Sequence, residues 1–404
     1  MKDMTLTKIY YSSPTEYENV YRERFHAAFT LHLNFDIKQY NHKKSYPAFF
    51  YYTKECALYT EKIYAAYANF LSVVSNVPPI VLQQFTLLSI LDEVKATNDI
   101  EGVNSTRKEI RDILDGSVGK TDRLESVVNK YRSLLDNREI SFASCRDLRV
   151  FYDEFAHDEI IKENPTHALD GDIFRKESVD IESPTGKIIH RGVFPESKII
   201  ENMKTALEIL HSDEYPLLVR LGLFHYLFAY IHPFYDGNGR TDRFITSYFL
   251  KREFHTLPAL RLSIYIKKNR KMYYDLFKEA DSEINRGDLT PFVIGFFKMI
   301  LGTIENTVNL LNRKNEQIKK YKEKIYSLDL SDPLLNDMYF ILLQASLFYG
   351  NGITLPQLVK MTGRARNTIQ KRLNSIPADE LIIERKNKTL YYKLNLESTL
   401  WMIS

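Results

Sequence analysis

The chain has 404 residues, 44% of them hydrophobic and 26% charged, which is enough for a sizeable core and two or three domains. Its 55 basic and 52 acidic residues leave a net charge of +3, too balanced for bulk attraction to nucleic acid or membranes. The two cysteines, Cys56 and Cys145, are far apart and lack metal-ligand spacing, so reduced thiols are expected and a disulfide framework or zinc site is not.

The N-terminus, MKDMTLTKIYYSS, has no continuous apolar run of the kind a secretion signal needs. The richest apolar stretch, LLVRLGLFHYLFAYI at 217–231, is interrupted by Arg220 and His225 and is too short to span a bilayer. The expectation is a cytoplasmic protein without a membrane partner. Residues 1–50 are aromatic-rich and look irregular, and from about 55 to 96 apolar residues recur at helical spacing, broken at 76–79. We read 1–95 as an N-terminal helical region. A polar break at Gly102 precedes a helix capped near Ser105 or Thr106, and amphipathic helix fills 121–156. Thr185-Gly186 stands between two short β-prone pieces, a hairpin signal, and helix returns at 196–211 and 215–231. Helices at 268–281 and 290–312 lead into a charged helical connector, 311–331. From 332 to 404 the pattern is three helices followed by a β hairpin around Lys386-Asn387-Lys388, the order of a winged helix.

Between the two most apolar helices lies HPFYDGNGRTDR, residues 232–243. Gly237 and Gly239 permit a sharp turn with bare N–H groups just before a helix, where unpaired donors and partial positive charge favour an anion. Asn238 adds a side-chain donor, and Arg240 and Arg243, three residues apart, project from one face with guanidinium forks suited to phosphate. Asp236 offers a hard oxygen of the kind Mg²⁺ takes together with phosphates and waters. His232, fixed by Pro233 at the end of the preceding helix, is a natural general base for a hydroxyl nucleophile. Together these parts describe phosphate-anhydride chemistry without a Walker loop.

The same twelve residues resemble the signature HxFx[DE]GNGRxxR of the Fic family at every fixed position, and the likeness extends over roughly residues 95–310. The resemblance implies a mainly α fold: a Fic-type helical core with a β-hairpin flap over 96–310, then a small winged-helix (α+β) domain over 332–404. It implies Mg²⁺-dependent transfer of AMP from ATP to a Ser, Thr or Tyr hydroxyl of a protein, the chain itself being one candidate acceptor. By position His232 is the base and Asp236 the metal ligand. Gly237, Asn238, Gly239 and Arg240 hold the α- and β-phosphates, and Arg243 the γ-phosphate. Relatives often dimerise, so a homodimer is implied as well.

Upstream, TNDIEG at 97–102 resembles the family's inhibitory motif on Thr97, Glu101 and Gly102. The implied brake is Glu101 pairing with Arg243 and so denying it to the γ-phosphate; in some relatives the same glutamate positions water to remove AMP. GKIIHRGVF resembles the flap, with Ile188, Ile189, His190 and Arg191 as candidates to pair with a target segment. NRKMYYDLFKEAD resembles the helix that closes over adenosine, with Tyr273, Tyr274 and Asp281 at the nucleotide; a tyrosine pair on a helix serves core packing as readily. Across 364–393 eight basic residues face three acidic ones, which fits DNA phosphates or protein contacts. The alternatives to an autoinhibited adenylyltransferase are a DNA-binding regulator whose core senses nucleotide, and a net AMP-removing enzyme using Glu101.

Overall fold

The structure is a computed structural model that describes residues 4–77, 79–115, 123–136, 138–182, 185–328, 331–348, 352–386 and 389–398. Its residues form two compact units, one of 1–67 with 90–304 and the other of 68–89 with 305–404. Four segments were expected from the sequence. The expected N-terminal region instead divides, 1–67 clustering with the core and 68–89 with the second unit, and the expected connector mostly continues one long helix, Thr290–Ser327.

The first unit opens with α1 (Leu6–Ser12) and α2 (Pro14–Phe25), joined by a small cluster of Leu6, Ile9, Tyr17 and Val20. An antiparallel hairpin follows, β1 (Thr30–Ile37) with β2 (Tyr46–Tyr51). This corrects the reading of 1–95 as helical. Leu33, Phe35 and Ile37 are buried while His32, Asn34 and Asp36 between them are exposed, the two-residue period of a half-buried strand. Helices α3 (Lys54–Val74) and α4 (Pro79–Glu101) come next. α5 (Arg107–Leu114) starts at a reciprocal cap: Glu109 N–H donates to the Thr106 hydroxyl at 3.1 Å, and Thr106 N–H to the Glu109 carboxylate at 2.7 Å. α6 (Glu125–Ser133) and α7 (Cys145–Tyr152) follow, and a π-helical turn at Asp153–His157 leads into α8 (Asp158–Glu163).

Strands β3 (Asp180–Glu182) and β4 (Ile188–Arg191) form the second hairpin, with Gly186 at φ +75° in its turn. Then come α9 (Glu196–His211), α10 (Leu217–Ile231), α11 (Asn238–Glu253), α12 (Thr256–Ala259), α13 (Leu262–Lys268), α14 (Arg270–Asp281) and α15 (Thr290–Ser327). α10 is apolar on nearly every side because it is buried on nearly every side, and α11 packs against it. The loop between these two buried helices is the 232–237 stretch.

In the second unit, α16 (Pro333–Phe348), β5 (Ile353–Thr354), α17 (Leu355–Thr362), α18 (Arg366–Leu373), β6 (Leu381–Lys386) and β7 (Thr389–Leu394) build three helices and a sheet of order β5-β7-β6. Gly363, at φ +63°, ends α17. The hairpin tip Asn387-Lys388 and the expected helix end at Gly350 lie outside the described residues. Among the described residues no helix is long and apolar enough to cross a membrane.

Candidate active site

His232 caps α10 in a left-handed conformation (φ 54°, ψ 63°), a strained place for a side chain with a Cβ. Arg175 holds it there. This fully buried arginine donates from Nε to His232 O at 2.9 Å, and from Nη2 to Val193 O at 2.8 Å and Ile231 O at 3.3 Å. Its Nη1 donates to Glu177 O at 2.5 Å. One guanidinium therefore ties the end of the flap to the histidine loop. Burial lowers its pKa to about 10, which leaves it charged at neutral pH. Gly192 has no room for a side chain, since a Cβ there would lie 2.4 Å from Arg175 Nη2.

The His232 Nδ1 is 3.3 Å from Ala229 O, so Nδ1–H donates to that carbonyl and Nε2 carries the lone pair. Burial, then the neighbouring His190 and Arg175, bring its pKa down to about 4 against the upward pull of Ala229 and Glu101. The imidazole is neutral at physiological pH.

Gly237, at φ +78°, sits at the start of α11; a Cβ there would fall 2.8 Å from Ile160 Cδ1, so both backbone and space require glycine. Asn238 was expected to offer its side chain to phosphate. Its Oδ1 instead accepts from Phe234 N at 2.9 Å and its Nδ2 donates to Phe234 O at 2.8 Å, so the amide closes the loop and only the main chain is left for a ligand. The half-buried Asp236 accepts from Gly237 N at 2.5 Å through Oδ1, and its Oδ2 lies 3.7 Å from His167 Nδ1.

Both arginines of the first turn of α11 are 1% exposed, and each meets a glutamate. Arg243 donates from Nη2 to Glu101 Oε1 at 2.7 Å, from Nε to Thr97 Oγ1 at 2.9 Å and from Nη2 to Thr97 O at 3.2 Å. Thr97 and Glu101 are one turn apart on α4 and share a face. Gly102, at φ +76°, ends that helix, with Val103 N donating to Asn98 O at 2.9 Å. The Glu101 carboxylate lies directly against Gly239: a Cβ at Gly239 would stand 2.2 Å from Glu101 Oε1. A carboxylate thus rests on the helix turn where the sequence places a phosphate. Burial works to raise the Glu101 pKa, but Arg243, with Arg240 beyond it, outweighs this and holds the carboxyl below its usual range.

Arg240 pairs through Nη1 with Glu159 Oε2 at 2.8 Å. Glu159, on α8, is a residue the sequence reading missed. Burial pushes its pKa up despite Arg240. Glu93 of α4 is also buried, accepting N–H groups of Ser263 at 2.9 Å and Ile264 at 3.3 Å at the start of α13. That contact anchors the α4 segment that carries Thr97 and Glu101.

The tyrosine pair divides. Tyr273 is buried, its OH 2.8 Å from His225 Nε2, and His225 Nδ1 faces Asp242 at 3.2 Å and Thr246 at 2.9 Å. Tyr274 is 41% exposed with the Arg270 guanidinium 5.4 Å from its ring centre, and Arg270 also donates to Ile100 O at 2.8 Å. Asp281 accepts from Tyr226 OH at 2.6 Å. On the flap Ile189 and Arg191 are exposed and Ile188 is half-buried. His190 is buried, donating from Nε2 to Tyr230 O at 2.7 Å, so its side chain faces the core while its backbone runs in β4.

Residues 154–250 match the family described as the Fic/DOC family. A Drosophila melanogaster protein named Protein adenylyltransferase Fic is 31% identical over 142 residues, 35% of this chain and 25% of its own length. One of the same name from Nematostella vectensis is 37% identical over 86 residues, 21% of this chain and 17% of that protein. The chain spans about a quarter or less of the curated relatives it matches. The crystal structure of a Fic family protein from Desulfovibrio desulfuricans G20 covers 86% of this chain and 98% of its own at 20% identity and a TM-score of 0.50, a likeness of fold. The matched segment begins in the π-helical turn and ends in α11, so it contains Glu159, Arg175, His232 and both arginines; this stretch of the chain is what matches the Fic/DOC family.

Proposed function

We propose that the protein is an adenylyltransferase that transfers AMP from ATP to a protein hydroxyl and is held in check by Glu101. In this reading the acceptor oxygen attacks the α-phosphorus while its proton passes to Nε2 of His232. The bond to the β-phosphate breaks and pyrophosphate leaves. The neutral state and fixed tautomer of His232, which leave the Nε2 lone pair available, support its role as acceptor of that proton. The backbone of Gly237, Asn238 and Gly239 at the start of α11, with Arg240 and Arg243, supports triphosphate binding.

Among the described residues no three His, Cys, Asp or Glu side chains gather as a metal site. The half-buried Asp236 carboxylate fits a Mg²⁺ shared with the triphosphate, which takes one or two carboxylates and fills its shell with phosphates and waters. Bound there, the ion would neutralise phosphate charge. Two buried free thiols, Cys56 and Cys145, support a reducing, cytoplasmic setting.

The single observation that carries the proposal is the Glu101 carboxylate lying on Gly239 and Arg243 a short loop away from a neutral His232. The test is incubation of Glu101→Gly with labelled ATP. Label should appear on protein and fall by about 10²–10⁴-fold when His232→Ala is added. Label that survives His232→Ala contradicts the assignment.

For DNA, support is narrow. The element order of the second unit fits a winged helix, and Arg364, Arg366 and Lys371 at α18 are exposed. Arg372, however, pairs with Asp332 at 2.9 Å, and Lys386 and Lys393 both pair with Glu384, at 3.1 and 2.7 Å. Arg385 on β6 is exposed as well, and four cations without an ion pair among the described residues of this stretch suit only a weak, strongly salt-dependent contact.

A further inference from the structure

The β1–β2 loop, residues 38–45, lies far outside the family-matched segment, yet it is fastened beside the flap. The Tyr230 hydroxyl accepts Lys38 N–H at 2.8 Å and donates to Lys38 O at 3.1 Å. Tyr230 is two residues before His232, and its ring packs 4.4 Å from that of His190 on β4. Arg191, the last residue of β4, lies with its guanidinium 5.6 Å from the Tyr40 ring centre. On the other side Gln39 Oε1 accepts Glu283 N–H at 2.7 Å and His42 meets the Glu283 carboxylate at 2.5 Å. Asn41, at φ +62°, turns the chain between these anchors. A surface loop fixed at both ends is a built element of this face rather than a loose connection.

The charge of the loop is one-sided. Lys38, Lys43 and Lys44 are exposed and have no ion pair among the described residues. The other charges at this face are largely spent: His42 on Glu283, and Arg191 on Asp180 at 2.5 Å. Asp36 on β1 and Glu182 on β3 are exposed acids, and Lys187 on the flap is exposed too. Among the described residues β4 pairs with β3 alone, and Ile189 on it is 48% exposed. A strand edge with an exposed apolar residue suits an extended peptide, and a flanking trio of free lysines suits carboxylates on it.

We propose that loop 38–45 extends the acceptor side of the flap, and that the loop selects extended protein segments with acidic side chains beside the modified hydroxyl. The inference rests on the adenylyltransferase reading. Its test uses the full chain carrying Glu101→Gly, with and without Lys43→Glu and Lys44→Glu. Each is given labelled ATP and a set of extended Ser, Thr and Tyr peptides made in two versions, flanked by glutamates or by glutamines. Label on the chain itself reports whether the chemistry works apart from acceptor choice, and ATP KM should not change with the loop.

The parent should prefer the acidic versions by about five- to tenfold, and the double charge reversal should erase or invert that preference. Equal use of both versions overturns the proposal, as does a preference that charge reversal leaves intact. Self-labelling without any peptide labelling also overturns it, because acceptor choice then lies elsewhere. Loss of both labels defeats the transferase reading instead.

Discussion

Two arginines on one turn of α11 are each held by a glutamate, and the two pairs are built differently. Arg240 meets Glu159, whose side chain is 2% exposed, and among the described residues no other group bonds its guanidinium. Arg243 meets Glu101, whose side chain is 30% exposed and sits on the last residue of a helix, before a glycine. Arg243 also keeps two bonds to Thr97 that do not depend on the carboxylate. The first pair is enclosed, so losing either partner strands a charge out of water. The second opens to solvent and can exchange one anion for another. Within one helix turn the same chemistry thus gives an enclosed strut and, in the reading proposed above, a removable plug.

The sharpest way to break this contrast is by stability. Glu159→Ala should cost about 3–5 kcal/mol, the usual penalty for an orphaned buried charge. Glu101→Ala should cost clearly less, because Arg243 keeps its two bonds to Thr97 and the lost carboxylate stood on the side open to water. Denaturant midpoints of the two variants decide it, and equal losses would erase the distinction.

A smaller effect concerns the strut on the other side of the loop. In a Glu101→Gly background, Arg175→Lys keeps the charge but loses the fork that holds Val193, Ile231 and His232. kcat should fall about 10–100-fold with ATP KM unchanged, since a misplaced base costs rate more than binding. A change in KM alone would mean that Arg175 does not position the histidine.

The smallest effect is a pH dependence on the α4 anchor. Burial raises the Glu93 pKa to about 6 from its ordinary 4.5, so the folded chain keeps this proton to higher pH than the unfolded chain. The wild type therefore loses stability as pH rises through that window. Glu93→Gln has no proton to lose and should gain on the wild type by about 2 kcal/mol between pH 4.5 and 7. A gap that stays constant across that range would show that Glu93 is not buried as described.

What could be read from the sequence followed contiguity. Twelve adjacent residues supply the loop and both arginines, and Thr97 and Glu101 share a face because they lie four apart on a helix. Glu159 was hidden: in DEIIKE it reads as one of several solvent acids, and only the packing of α8 against α11 makes it a partner. Arg175 carries no local signal, because its partners are main-chain carbonyls from distant segments. Tyr273 and Tyr274 could not be separated by composition, but adjacent residues on a helix point about 100° apart, so one faces the core and the other does not. The β1 alternation Leu33, Phe35, Ile37 was present in the sequence; it lay in an aromatic-rich stretch where the two-residue period is easily masked.

The claim on which the rest turns is that Glu101 occupies the place of a phosphate on Arg243 and Gly239. The initial rate of labelled AMP transfer at saturating ATP, wild type against Glu101→Gly, tests it most directly. The account predicts a rate at least about tenfold higher in the variant, as removal of a charge-assisted competitor should give. Equal rates in the two proteins would contradict it.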